Sequence, residues 1–123
     1  MGKYVVKEGK TGFHFNLHAV NGQVIGSSEV YSSEASCMNG IESVRKNAPI
    51  ANVEDQTIEG FATAKCPKFE IYNDKAGEFR FRLKATNGQI IAVSEGYTTK
   101  TACTNGIESV KKNAPEAPVE IDA

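Results

Sequence analysis

The chain states one pattern twice. Residues 13–49 read FHFNLHAVNGQVIGSSEVYSSEASCMNGIESVRKNAP and residues 79–115 read FRFRLKATNGQIIAVSEGYTTKTACTNGIESVKKNAP. At a constant offset of 66, 22 of these 37 positions are identical. KYVV at 3–6 and KFEI at 68–71 extend the match upstream, with one extra residue in the second copy just before Glu78. A unit of about 55 residues buries too little of its unfolded surface to be robust alone. The repetition therefore predicts two copies closing over one core, related by an approximate two-fold axis. We expect a single domain, 1–123, made of repeat one (1–57), a short linker, and repeat two (67–123).

Each copy opens with a short alternating run, Lys3 to Lys7 and Lys68 to Tyr72, followed by the hairpin turns EGKTG and NDKAGE. A clearer alternation follows. Phe13, Phe15, Leu17 and Ala19 interleave with His14, Asn16 and His18, and Phe79, Phe81, Leu83 and Ala85 interleave with Arg80, Arg82 and Lys84. Period two marks a strand with one buried and one wet face. Asn21-Gly22 and Asn87-Gly88 predict type I′ turns into third strands at QVIGSS and QIIAVS.

After Tyr31 and Tyr97 the period changes. Cys37, Ile41, Val44 and Ala48 lie at helical spacing, as do Cys103, Ile107, Val110 and Ala114. Ser32 or Ser33, and Thr98 or Thr99, are candidate N-caps. Asn47-Ala48-Pro49 and Asn113-Ala114-Pro115 end the helices, with Asn suited to a left-handed terminus and Pro unable to continue the ladder. Gly40 and Gly106 fall mid-helix, where glycine costs about 1 kcal/mol relative to Ala; close packing explains this more simply than a kink at a binding site. ANVED and APVEI read as short closing strands, and Ile58 and Phe61 in the linker are expected to dock.

The net charge is −1, so no global field draws the protein to nucleic acid or an anionic membrane. No apolar run is long enough to span a bilayer. MGKYVVKEGK has no signal-peptide core. Three cysteines, at 37, 66 and 103, match no zinc spacing and read as reduced thiols. We expect a cytoplasmic protein.

The β-meander, the NGQ turn, the Ser-Glu-x-Tyr step and the helix ending NGIESVRKNAP or NGIESVKKNAP together resemble the YegP-like family of small, mostly uncharacterised bacterial proteins, often tandem repeats. The resemblance extends over nearly the full length. It implies an α+β fold in which β(3)-α-β units, used twice, form one mainly antiparallel sheet with exchanged C-terminal strands and both helices on one face. It also implies a fused dimer that works as a monomer. It brings no activity, cofactor or catalytic residue.

The outward stripe of the second strands is the first candidate surface: His14, Asn16 and His18 in one copy, Arg80, Arg82 and Lys84 in the other, with Tyr72 beside them. An open basic sheet could contact phosphates, and single-stranded nucleic acid is the nearest precedent. The plainer reading is a solvated strand face. His14 and His18 are spaced about 13 Å apart along a strand, too far for one zinc ion. Glu29 with Tyr31, and Glu95 with Tyr97, could do acid–base work or simply brace the helix starts. No phosphate-cradling glycine loop occurs. We expect a non-catalytic binding or accessory module without metal or cofactor, its partner unknown, with nucleic-acid binding and a Glu/Tyr enzyme as alternatives. The shared core should contain Phe13, Phe15, Leu17, Ile25, Ile41, Val44, Phe79, Phe81, Leu83, Ile91, Ile107 and Val110.

Overall fold

A computed structural model describes residues 2–122. The elements run β1 (Lys3–Gly9), β2 (Gly12–His18), β3 (Val24–Ser27), α1 (Glu34–Asn47), β4 (Asn52–Asp55), β5 (Lys68–Asn73), β6 (Phe79–Lys84), β7 (Ile90–Val93), α2 (Lys100–Asn113) and β8 (Val119–Asp122). All eight strands share one sheet in the order β4-β5-β6-β7-β3-β2-β1-β8. The two meanders meet at the centre, where Ser27 of β3 lies antiparallel beside Val93 of β7.

The closing strands are exchanged. β4 of the first repeat pairs in parallel with β5 of the second, from Asn52 beside Lys68 to Asp55 beside Ile71. β8 pairs in parallel with β1, from Tyr4 beside Val119 to Lys7 beside Asp122. The helices cross as well: α1 contacts β2 and β7, and α2 contacts β3 and β6. Each repeat keeps its own meander but lends its last strand to the other, and each helix covers strands of both repeats.

One core lies between sheet and helices. Phe15, Leu17, Ile25, Phe81, Leu83 and Ile91 from the strands meet Ile41, Val44, Ile107 and Val110 from the helices. Phe13 and Phe79 pack against this core only partly buried, because they sit at strand ends. Tyr4, Val6, Phe69 and Ile71 of the first strands belong to it fully.

Ser33 and Thr99 cap the helices, their side-chain oxygens accepting from the N–H groups of Ser36 and Ala102 at 3.1 Å. The C-termini differ from the expected left-handed end. Asn47 stays right-handed, and the backbone runs on through a 3₁₀ turn at Ala48–Ile50. The Asn47 amide instead turns back onto the Ser43 carbonyl at 2.8 Å. The β2–β3 and β6–β7 turns are not type I′, since only the glycines, Gly22 and Gly88, have positive φ. Each is closed by the glycine N–H donating to the Ala19 or Ala85 carbonyl at 2.9 Å, with Asn21 or Asn87 accepting from the Gln two residues on.

Gly40 and Gly106 are packing glycines. A Cβ at either would overlap the hydroxyl of Tyr31 or Tyr97, which lies across the helix after stacking on Phe15 or Phe81. The linker corrects another expectation. Ile58 and Phe61 do not dock but are 53% and 41% exposed. Polar bonds hold the linker instead: Ala64 N–H donates to Glu54 at 2.7 Å, and the Asn52 amide donates to the Lys65 carbonyl at 2.9 Å.

Candidate functional site

The sheet face opposite the helices carries the residues of the sequence-derived stripe. Strand register places Glu54, Glu70, Arg82, Val93, Ser27, Asn16, Val5 and Glu120 in one row across it. Arg80 and Lys84 flank Arg82 on β6, and His14 and His18 flank Asn16 on β2. Tyr72 faces the same way, beside Arg80 in register, and the Arg82 guanidinium rests 4.4 Å from the centre of its ring.

This face is not a row of free cations. Arg80 meets Asp74 at 2.7 Å, Arg82 meets Glu70 at 2.6 Å, and Lys84 meets Glu70 at 3.2 Å. Lys68 bridges Glu54 at 2.7 Å and Glu70 at 3.2 Å. Burial acts to raise the pKa of Glu54, but hydrogen bonds from Lys68, Gln56 and Ala64 outweigh it and hold the carboxyl at about 2. Glu70 is likewise buried, and bonds from Arg82, Lys68 and Lys84 overcome that burial to keep it below the usual carboxylate range. Asp74 is lowered chiefly by Arg80. Glu70 was legible as an outward residue alternating with Phe69 and Ile71. Glu54 was not, because it reaches this face only through strand exchange.

The first repeat's half is different. Val5 and Asn16 stand where Glu70 and Arg82 stand in the second. His18 Nδ1 lies 3.1 Å from the Gly22 carbonyl, and Ser27 donates to Asn16 at 2.7 Å. Among the described residues no group of three His, Cys, Asp or Glu could hold a metal ion.

The Glu/Tyr pairs are not assembled as acid–base couples. Glu29 and Glu95 are exposed, while the Tyr31 and Tyr97 rings turn inward over the helix glycines. Burial raises both phenols above their ordinary pKa. The same cause pushes Cys103 up to about 11 and raises Cys37, so both thiols are poor nucleophiles.

Two grooves lie elsewhere, on the helix side. The first, about 570 Å³, is bounded by Ala19, Val20 and Asn21 of repeat one and by Ser109, Lys112 and Asn113 of α2. The second, about 380 Å³, lies between Ala85, Thr86 and Asn87 of repeat two and Asn39, Glu42, Ser43, Lys46 and Asn47 of α1. They are equivalent under the offset of 66, and each is walled by both repeats. Buried Asn47 and Asn113 form their inner ends. Each donates through Nδ2 to the carbonyl and hydroxyl of Ser43 or Ser109. Their Oδ1 atoms accept from Thr86 at 3.1 Å and from the Gly2 N–H at 2.8 Å.

The two copies agree around these grooves and disagree on the open sheet face. Of the eight positions lining the second groove, seven carry the same residue in the other copy; only Thr86, matched by Val20, differs. Of the eight outward pairs 3/68, 5/70, 7/72, 14/80, 16/82, 18/84, 27/93 and 54/120, only Lys3/Lys68 and Glu54/Glu120 agree. Core packing does not dictate Asn39, Glu42 and Lys46, which are exposed. Asn39 and Asn105 make no side-chain hydrogen bond among the described residues and are poor helix formers. This pattern was present in the sequence, but only the fold shows that the shared residues surround a groove.

The protein matches the family described as a domain of unknown function, DUF1508, twice, over residues 10–55 and 74–120. It is 40% identical to UPF0339 protein PA0329 of Pseudomonas aeruginosa over 116 residues, covering 94% of this protein and 92% of that one. A UPF0339 protein of Treponema denticola is 65% identical over 52 residues, which is 42% of this protein and 90% of that one. The solution structure of YegP from E. coli, a protein of unknown function, superposes with a TM-score of 0.78 at 34% identity, covering 98% of this protein and 92% of that one.

Proposed function

The chain belongs to the uncharacterised YegP-like family built on the DUF1508 domain, and from that premise we propose that it is a small non-catalytic binding module whose contact sites are the two helix–turn grooves. The observation that carries this reading is the agreement of the two copies at exposed groove positions, set against their divergence across the sheet face. Exposed residues that neither pack nor bond are free to drift, and here most of the open sheet face has drifted while the groove positions have not, with exposed Glu29 and Glu95 a second place of agreement. The basic stripe supports a contact surface less well, because Arg80, Arg82 and Lys84 already face carboxylates. A non-catalytic role is supported by the Tyr31 and Tyr97 rings turning inward over the helix glycines while Glu29 and Glu95 stay exposed, with no hydrogen bond among the described residues joining either pair. Exchanged strands support a protein that works as a monomer, and three unpaired thiols support a reducing, cytoplasmic setting. No helix among the described residues is long and apolar enough to cross a membrane.

The test is a pull-down from lysate, with and without nuclease. It compares the natural protein, a Ser43→Arg/Ser109→Arg double variant that places a bulky side chain in both grooves, and an Arg80→Ser/Arg82→Ser/Lys84→Ser variant. Loss of partner in the groove variant alone supports the reading. Recovery unchanged in that variant, or loss confined to the strand variant, overturns it.

A further inference from the structure

We infer that Asn21 and Asn87 are sites of spontaneous deamidation, and that the fold protects the two other Asn-Gly pairs, Asn39-Gly40 and Asn105-Gly106. The inference stands apart from the groove reading, although both reactive residues line a groove wall. Asparagine is a thermolabile residue, and a following glycine leaves the approach to its own nitrogen open. In this reaction the glycine nitrogen attacks Cγ of the preceding asparagine. A C–N bond forms, the bond to the carboxamide nitrogen breaks, and that nitrogen leaves as ammonia with the glycine proton. Water then opens the five-membered ring at either carbonyl, giving aspartate or isoaspartate. Only water is consumed, and each event replaces a neutral group by a carboxylate.

The four pairs are alike in sequence, and the fold separates them. Asn21, Gly22 and Gln23 are all exposed, as are Asn87, Gly88 and Gln89. Beyond the chain neighbours, no atom lies within 4 Å of where a Cβ on Gly22 or Gly88 would stand, so each turn has room to change shape. The Gln23 N–H donates to Asn21 Oδ1 at 3.0 Å, and the Gln89 N–H donates to Asn87 Oδ1 at 3.0 Å. Each bond draws the side-chain carbonyl against the chain at the glycine. It also polarises that carbonyl towards attack, as a donor aimed at a developing oxyanion does. Two restraints must be released. The glycine N–H donates to the Ala19 or Ala85 carbonyl at 2.9 Å, and the carboxamide N–H reaches Gln23 or Gln89 Oε1 at 3.4 or 3.3 Å. Both belong to an exposed turn, where local opening costs little. Gly40 and Gly106 are instead buried within α1 and α2, where their N–H groups belong to the helix ladder. The Tyr31 and Tyr97 hydroxyls lie across them, so ring closure there requires the helix to unfold. Deamidation at both turns adds one negative charge each and moves the net charge from −1 to −3. It sets a carboxylate in the wall shared with Lys112 in the first groove, and with Glu42 and Lys46 in the second.

The test is incubation of the folded full-length protein at mildly alkaline pH for several weeks, followed by digestion and mass spectrometry that separates aspartate from isoaspartate. Asn21 and Asn87 should convert at least about tenfold faster than Asn39 and Asn105. In protein held unfolded in urea, the four rates should come together. Ion exchange of the intact folded protein should resolve species carrying one and two added negative charges. Asn39 or Asn105 keeping pace in the folded protein overturns the protection by the helices. Asn21 and Asn87 staying intact while the unfolded chain converts overturns the reactive turns, and conversion at one turn alone overturns the assignment of the other.

Discussion

The hydroxyl of Thr86 donates to Oδ1 of Asn47 at 3.1 Å, tying a turn of the second repeat to the helix end of the first. At the equivalent place Val20 has no hydroxyl, and the Gly2 N–H supplies the bond to Asn113 instead. Pro67, which stands where Gly2 stands in the other copy, has no N–H to give. Each copy therefore satisfies its buried asparagine once, by a different donor. Thr86→Val should leave the Asn47 acceptor unpaired and cost about 1–2 kcal/mol. Val20→Thr, beside an acceptor already satisfied, should change stability by less than ~0.5 kcal/mol. Urea unfolding of the two variants measures the difference.

The Glu54–Lys68–Glu70 cluster predicts an acid limit. A carboxyl held at about 2 in the folded protein stabilises the fold fully above its unfolded pKa, about 4.3. That contribution is lost as the pH falls through the folded value. The melting temperature should drop steeply between about pH 4.5 and 2. Glu54→Gln, which leaves Lys68 buried against Glu70 alone, should cost about 3 kcal/mol at pH 7 and flatten that acid slope. Thermal melts across this range, read by circular dichroism, compare the variant with the natural protein.

Gly106→Ala tests whether the Tyr97 ring dictates the glycine. Helix propensity alone favours alanine by about 1 kcal/mol. The Cβ would meet the Tyr97 hydroxyl and the Phe81 ring, and overpacking of that kind costs about 1–3 kcal/mol. A net loss is expected, and adding Tyr97→Leu should recover part of it. A gain in stability from Gly106→Ala alone would show that the tyrosine moves aside freely.

Cleavage within the exposed linker should not release the halves. Gly60 and Phe61 are solvent-exposed, while β4 and β8 each lie in the sheet of the opposite repeat. A site-specific protease site inserted after Gly60 should give a nicked protein that elutes as one particle and melts in one transition. Two separating fragments would contradict the exchanged pairing.

Strand alternation in Phe13–Leu17 and Phe79–Leu83, and the helical spacing of Ile41, Val44, Ile107 and Val110, are local patterns, and the sheet and helices follow from them directly. The type I′ expectation failed because Asn-Gly also suits a longer turn in which only the glycine is left-handed. Ile58 and Phe61 misled because apolar residues in a linker carry no periodicity to say which way they face. The ion pairs of the charged face have no local signal either. Arg80, Arg82 and Lys84 stand out along β6, but Glu70, which meets two of them, lies on the neighbouring β5, and Asp74, which meets the third, lies in the turn after β5, while Glu54 of the other repeat holds Lys68 beside Glu70. The grooves join a turn to a helix 38 to 94 residues away in sequence, a distance over which no local signal operates.

Every groove has one wall from each copy. A solitary repeat thus owns two half-sites and no finished one, and completing the first by pairing with a second copy completes another at the same moment. Whatever these clefts hold, the architecture offers it seats only in twos.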